Sequence, residues 1–256
     1  MPQAYDPFDS DAGDHIPSGE RDAQRRSVSR SVSRSFDRLL EQLVAGDRVG
    51  CRDTVRDALD HGAEASEVLR SMIWPACAMI DTLSRRDQIA PVHEHCATVL
   101  LTQLAQRLEC GLSKSPARGR TVLVTSGPKP TEELAAEIFA GLAEADGFEV
   151  LFLGGGVESD DLFAEVGRRR PAFVVSFAAG GPDAPRLRRF IDAVRAQNPV
   201  PGILIGAGGG VFTRAPGLAD EIGADFSADT PFEMLQALQT LARRDAAPAI
   251  RRARAA

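Results

Sequence analysis

From residue 120 onward, short β-branched apolar runs alternate with segments of helical length, and this alternation constrains the fold more than any other feature of the chain. Thr121-Val-Leu-Val-Thr125 is followed by a helix predicted from about Thr131 to Asp146. Phe148 to Leu153 precedes one from Ser159 to Arg169, and Ala172 to Ser176 precedes one from Ala184 to Gln197. Gly202 to Ile205 leads into a short helix around Ala215 to Ile222. Ala224 to Ser227 leads into a last one from Pro231 to Arg243. Apolar strands joined by helices imply a parallel sheet covered on both faces. Ligands of such sheets bind beyond the carboxyl ends of the strands.

The stretch before the linker is helical. Phe36, Leu39, Leu40, Leu43 and Val44 recur at helical spacing, and Gly46 closes that helix. Further helices are predicted from Asp47 to His61, Ala65 to Leu83 and Val92 to Leu108, which makes a four-helix bundle over 36–110. Residues 111–119 carry Pro and Gly between polar residues and read as a linker to an α/β domain over 120–245. Residues 1–35 are rich in Asp, Gly, Pro and Ser and then in Arg and Ser, too poor in apolar surface to offset the entropy of folding; they are expected to be a disordered tail, as are 246–256. The tail is too short to hold a winged-helix or helix-turn-helix domain.

Composition removes several functions. Asp and Glu number 36 against 30 Lys and Arg, and aromatics are 5%, so neither a phosphate-binding surface nor a base-stacking platform is expected. No apolar run approaches the roughly 20 residues of a membrane span, and no secretory signal is legible. The expected setting is the cytoplasm. The four cysteines, Cys51, Cys77, Cys96 and Cys110, include no C-x-x-C pair and read as small hydrophobes in a reducing compartment.

Three strand ends run into small-residue loops: Gly154 to Gly156, Ala178 to Gly181 and Gly206 to Gly210. Glycines there let a bulky ligand approach the backbone. None forms a dinucleotide-binding G-x-G-x-x-G after the first strand, and no Gly-Lys-Ser/Thr exists for a P-loop. Three such loops on one rim suit a large, flat-faced ligand. Ser126 and Ser176 lie near strand ends without a nucleophile elbow, and no histidine falls in the α/β half to serve as a base. Acid–base catalysis would then rest on Glu132, Glu133 or Glu158, which as helix-start acids are expected to serve the helix dipole. His93 and His95 do not share a helix face, so they cannot clamp a metal together.

Bundle, linker and five-unit α/β domain together resemble the cobalamin-binding module of corrinoid methyltransferase proteins and light-responsive cobalamin-dependent regulators. The likeness rests on Leu43-Val-Ala-Gly-Asp47, Trp74-Pro75 and Glu94-His95 in the bundle. In the α/β half it rests on Gly147 to Gly154, Ser176, Gly208-Gly209 and Pro216 to Asp225. The resemblance implies an α/β fold: an N-terminal four-helix bundle followed by a five-stranded parallel, flavodoxin-like doubly wound sheet. It implies cobalamin as cofactor, held at Glu94, His95, Glu132, Gly156, Ser176, Gly208 and Gly209, with His95 able to reach the cobalt from above. It also implies that Ser176 and the Gly208-Gly209 pair meet the nucleotide tail. The family's lower-ligand motif D-x-H-x-x-G is lost, because Pro130, Glu132 and Ala135 stand at its Asp, His and final Gly positions. The family's capping Trp corresponds to Ser84. Three readings follow: a non-enzymatic cobalamin-binding regulator acting through a partner protein, a scaffold that keeps the fold without a corrin or with another tetrapyrrole, and a corrinoid methyl-transfer shuttle.

Overall fold

The computed structural model describes residues 35–178 and 180–253, with side chains as far as 244, so the predicted tail over 1–35 lies outside it except for Ser35, as does Ala179. The first helix, α1, covers 35–45 and buries Leu39 and Leu43; Gly46 ends it at φ +71°. α2 (Arg48–Asp60) starts where the Asp47 carboxylate accepts the Gly50 N–H at 2.9 Å. The predicted third helix is one rod in three parts: α3 (Ala65–Val68), a π-helical turn (Leu69–Ile73) and α4 (Trp74–Arg85). Pro75 has no N–H, and its ring would strike the carbonyl four residues back in a regular helix. The turn widens instead, and the Trp74 N–H bonds the Leu69 carbonyl five residues back. α5 (Pro91–Glu109) completes the cap, burying Ala97, Leu100, Leu101, Leu104 and Leu108.

The second half is a five-stranded, all-parallel sheet in the order β2-β1-β3-β4-β5, where β1 is Thr121–Ser126, β2 Glu149–Gly155, β3 Phe173–Phe177, β4 Leu204–Gly208 and β5 Phe226–Ala228. This is the flavodoxin-like order, with its switch point between β1 and β3. α6 (Pro130–Ala145) and α11 (Pro231–Ala253) cover one face, where Val122, Val124, Phe173, Val175 and Phe177 meet Phe139, Met234 and Leu238. α7 (Ser159–Arg169) and α8 (Asp183–Gln197) cover the other, over Leu123, Val174 and Ala178. The short helix predicted near 215–222 is instead two, α9 (Gly210–Arg214) and α10 (Leu218–Glu221), because Pro216-Gly217 interrupts it and Gly217 turns left-handed at φ +87°. The last helix runs past Arg243, where the pattern predicted its end.

α6 fixes the cap to the sheet. Leu134, Ile138 and Leu142 join the core of the bundle, while Ala135, Ala136, Phe139 and Ala143 pack on the strands. Phe232 at the start of α11 also enters the cap core, with the Arg70 guanidinium 4.3 Å above its ring. The polar linker is strapped down too. Ser115 and Arg118 donate backbone N–H groups to the carbonyls of Ala145 and Gly147, and the Arg118 side chain pairs with Asp146 at 2.7 Å.

Candidate functional site

Between cap and sheet lies a cleft of about 310 Å³ at the carboxyl ends of the strands. One wall is a stripe of α4, Trp74, Cys77, Ala78, Asp81, Thr82 and Arg85, whose spacing of three and four residues puts all six on one helix face. The opposite wall is the start of α6 (Thr131, Glu132, Ala135), the end of β3 (Phe177, Ala178) and the Gly209-Gly210 corner. Polar groups ring the mouth. Arg85 pairs with Asp81 at 2.8 Å on the cap side, and the Thr213 hydroxyl donates to Asp229 at 3.1 Å on the other.

Gly209 shapes the floor. It sits at φ +101°, and a Cβ there would lie 2.3 Å from the Ala178 carbonyl oxygen. Only glycine satisfies both conditions, so the corner presents bare backbone to the cleft.

Glu132 is 2% exposed at the third position of α6. Its carboxylate folds back to accept the Lys129 N–H at 3.2 Å and leans over Gly127, where a Cβ would stand 2.0 Å from Oε2. It therefore closes the helix start, as the first-turn acids were expected to do. Cys77 is the soft donor in the wall, but burial, with Asp81 adding to it, pushes its thiol up to about 12, so it stays protonated near neutrality.

The remaining predicted residues are not all brought together. Gly208 is buried directly beneath Gly209. Gly156 is exposed in the loop after β2, away from the residues lining the cleft. Glu94 accepts a short hydrogen bond from Ser84, which ties the first turn of α5 to the end of the cleft helix, and His95 beside it is exposed and outside the lining. Ser176 faces the α7–α8 side, in a separate pocket of about 40 Å³ with Thr125, Ser126, Asp183 and Arg186. Neighbouring strand residues point to opposite faces, so the residue that meets the α6–α11 side is Phe177. Phe177 was missed, although the period-two run Phe173, Val175, Phe177 carries the signal. An indole reaches the cleft from Trp74 rather than from position 84.

The family model described as "B12 binding domain" matches residues 120–236, and a second model of the same description matches residues 35–109. The chain belongs to the B12-binding domain family. No curated protein matches the sequence. Among solved structures, a monomethylamine corrinoid protein of Methanosarcina barkeri has a TM-score of 0.70 at 15% identity, covering 81% of this chain and 98% of that one, and so shares the fold. A cobalamin-binding protein from Desulfitobacterium hafniense DCB-2 has a TM-score of 0.42 at 18% identity, with coverages of 80% and 97%. A methanol:cobalamin methyltransferase complex from M. barkeri has 0.45 at 11%, with 90% of each chain covered.

Cobalamin is thus the cofactor of this B12-binding chain, and the cleft suits its ring. A flat macrocycle needs a stretch of wall without side chains, which Gly209 provides, and its peripheral amides need polar partners at the edge, which Asp81, Thr82, Arg85, Thr213, Arg214 and Asp229 would provide. The axial positions are different. No histidine lines the cleft among the described residues, and no cluster of three metal-binding side chains occurs among them. No described helix is long and apolar enough to cross a membrane.

Proposed function

We propose that this B12-binding chain is a cobalamin sensor that signals through a regulatory protein partner and is not itself an enzyme. When bound, the cofactor supplies a cobalt with exchangeable axial ligands. One observation carries the reading: the residue at the family's lower-ligand position, Glu132, is buried and committed to closing α6. A methyl-transfer shuttle depends on control of the lower ligand by an imidazole, and a carboxylate is a poor match for soft, reduced cobalt. The cap stripe from Trp74 to Arg85 lines the cleft, so a change in a bound ring would be felt first by α4 and, through Ser84 and Glu94, by the start of α5. Four free thiols fit a cytoplasmic setting.

Purified protein mixed with hydroxocobalamin is expected to retain it through gel filtration with a shifted visible spectrum, and the partner is expected to be captured in one ligand state more than in the other. Glu132→Gln leaves the bound spectrum unchanged. Failure to retain any corrinoid refutes the sensor and leaves the scaffold reading. Upper ligation by His95 stands only if His95→Ala alters the spectrum of the bound cofactor.

A further inference from the structure

We infer that the cleft recognises the corrin ring alone and leaves the nucleotide tail outside, so its ligand class is corrinoids irrespective of their lower base. The inference rests on the cleft's being the corrin site. The evidence is the packing below the floor. Phe177 leaves the end of β3 toward α6 and α11, is fully buried, and packs its ring 5.6 Å from that of Phe139, centroid to centroid. Met234 of α11, also fully buried, fills the other side. A Cβ on Gly208 would lie 2.9 Å from both Met234 Cε and Phe177 Cε1, so the two side chains already occupy the space that the glycine leaves.

A planar base entering between α6 and α11 beside Gly208 needs van der Waals room of about 3.5–4 Å on each face. Phe177 and Met234 hold that room as close-packed core. The corner above is shut by backbone, since Gly209 is pressed on the Ala178 carbonyl. The opposite face of the sheet offers the pocket around Ser176, of about 40 Å³, which is the scale of one or two waters and not of an aromatic base. Among the described residues the ring therefore has a seat in the cleft, and neither the core beside Gly208 nor the pocket at Ser176 has room for the tail. Bound cobalamin would keep its own base coordinated rather than seat it in the domain.

The sole tryptophan, Trp74, lines the cleft and reports occupancy by fluorescence quenching. Titrating the full chain with cyanocobalamin and with dicyanocobinamide, which lacks the nucleotide, is expected to give dissociation constants within about threefold. Bound cobalamin is expected to keep its base-coordinated absorption. Phe177→Ser opens the slot, and cobalamin then gains at least tenfold over cobinamide; Met234→Ala serves the same purpose if the first variant does not fold. Cobalamin binding tenfold or more tighter than cobinamide in the unmodified protein overturns the inference while leaving the corrin site in place. Absence of quenching by both corrinoids overturns the inference and the proposed function together.

Discussion

Glu109, the last residue of α5, is an ionisable group whose environment predicts a pH effect on stability near neutrality. Its side chain crosses to α6 above Gly141, where a Cβ would sit 2.5 Å from Glu109 Cγ. Its Oε1 is buried without a hydrogen-bond partner, and burial, together with Glu137 and Glu144 on α6, raises the carboxyl from its ordinary 4.5 to about 7. The folded protein thus holds a proton that the unfolded chain releases between about pH 4.5 and 7. Stability is greatest at the acid end of that window, falls as pH rises to 7, and is flat above it. At about 1.36 kcal/mol per unit, the full shift corresponds to about 3.4 kcal/mol. The side chain is only half-buried, and solvent screening reduces this to about 1–2 kcal/mol. Glu109→Gln removes the titration and leaves an amide that can donate toward the neighbouring carboxylates. Thermal melts followed by circular dichroism at pH 5, 6, 7 and 8 are expected to show the variant more stable than the parent at pH 8 by about 1–2 kcal/mol, or about 2–4 °C per kcal/mol. The difference shrinks toward pH 5. Melting curves that stay parallel across this range would falsify the assignment.

Three other perturbations test separate parts of the molecule. Gly209→Val forces a branched side chain into a left-handed backbone against the Ala178 carbonyl; a loss of about 2–4 kcal/mol by denaturant titration is expected, along with loss of cobalamin retention. Asp225 accepts from the Ile205 N–H at 2.6 Å and pairs with Arg195, so Asp225→Ala orphans a β4 donor and costs about 1–3 kcal/mol, and an unchanged melt would remove that role. Exposed Cys96 and Cys110 are expected to react promptly with a thiol reagent at pH 8, whereas Cys51, raised to about 11, and Cys77 react only on unfolding; four fast thiols would contradict the packing.

The strands and helices were legible because each follows one period. The run Thr121 to Thr125 cannot be a helix face, and Ser159 to Arg169 cannot be a strand. The Gly208-Gly209 corner was legible because small residues at a strand end have few other uses. What escaped was what depends on partners distant in sequence. Ser176 and Phe177 differ by one residue, and which of them meets α6 and α11 is decided by the pairing of β3 with β1 and β4, not by a local pattern. The cleft stripe from Trp74 to Arg85 was hidden for a related reason, since only the packing of α4 against α5 and α6 shows which of its residues remain open to the cleft. Glu132 was legible in part: its helix-start position already marks an acid serving the helix dipole, and the fold adds that its carboxylate turns back onto the Lys129 N–H.

The π-helical turn at Leu69–Ile73 has an effect beyond accommodating Pro75. It acts as a phase shifter in a single rod: one extra residue advances everything after it by about 100° relative to everything before. The segment that anchors in the bundle and the segment that faces the cleft can therefore be tuned apart. Excising one residue there would leave the anchor of α3 in place while turning Trp74, Cys77 and Asp81 away and presenting a different set of side chains to the ring. A one-codon deletion or insertion at this turn is thus a route by which such a cap changes its ligand preference without rebuilding its core.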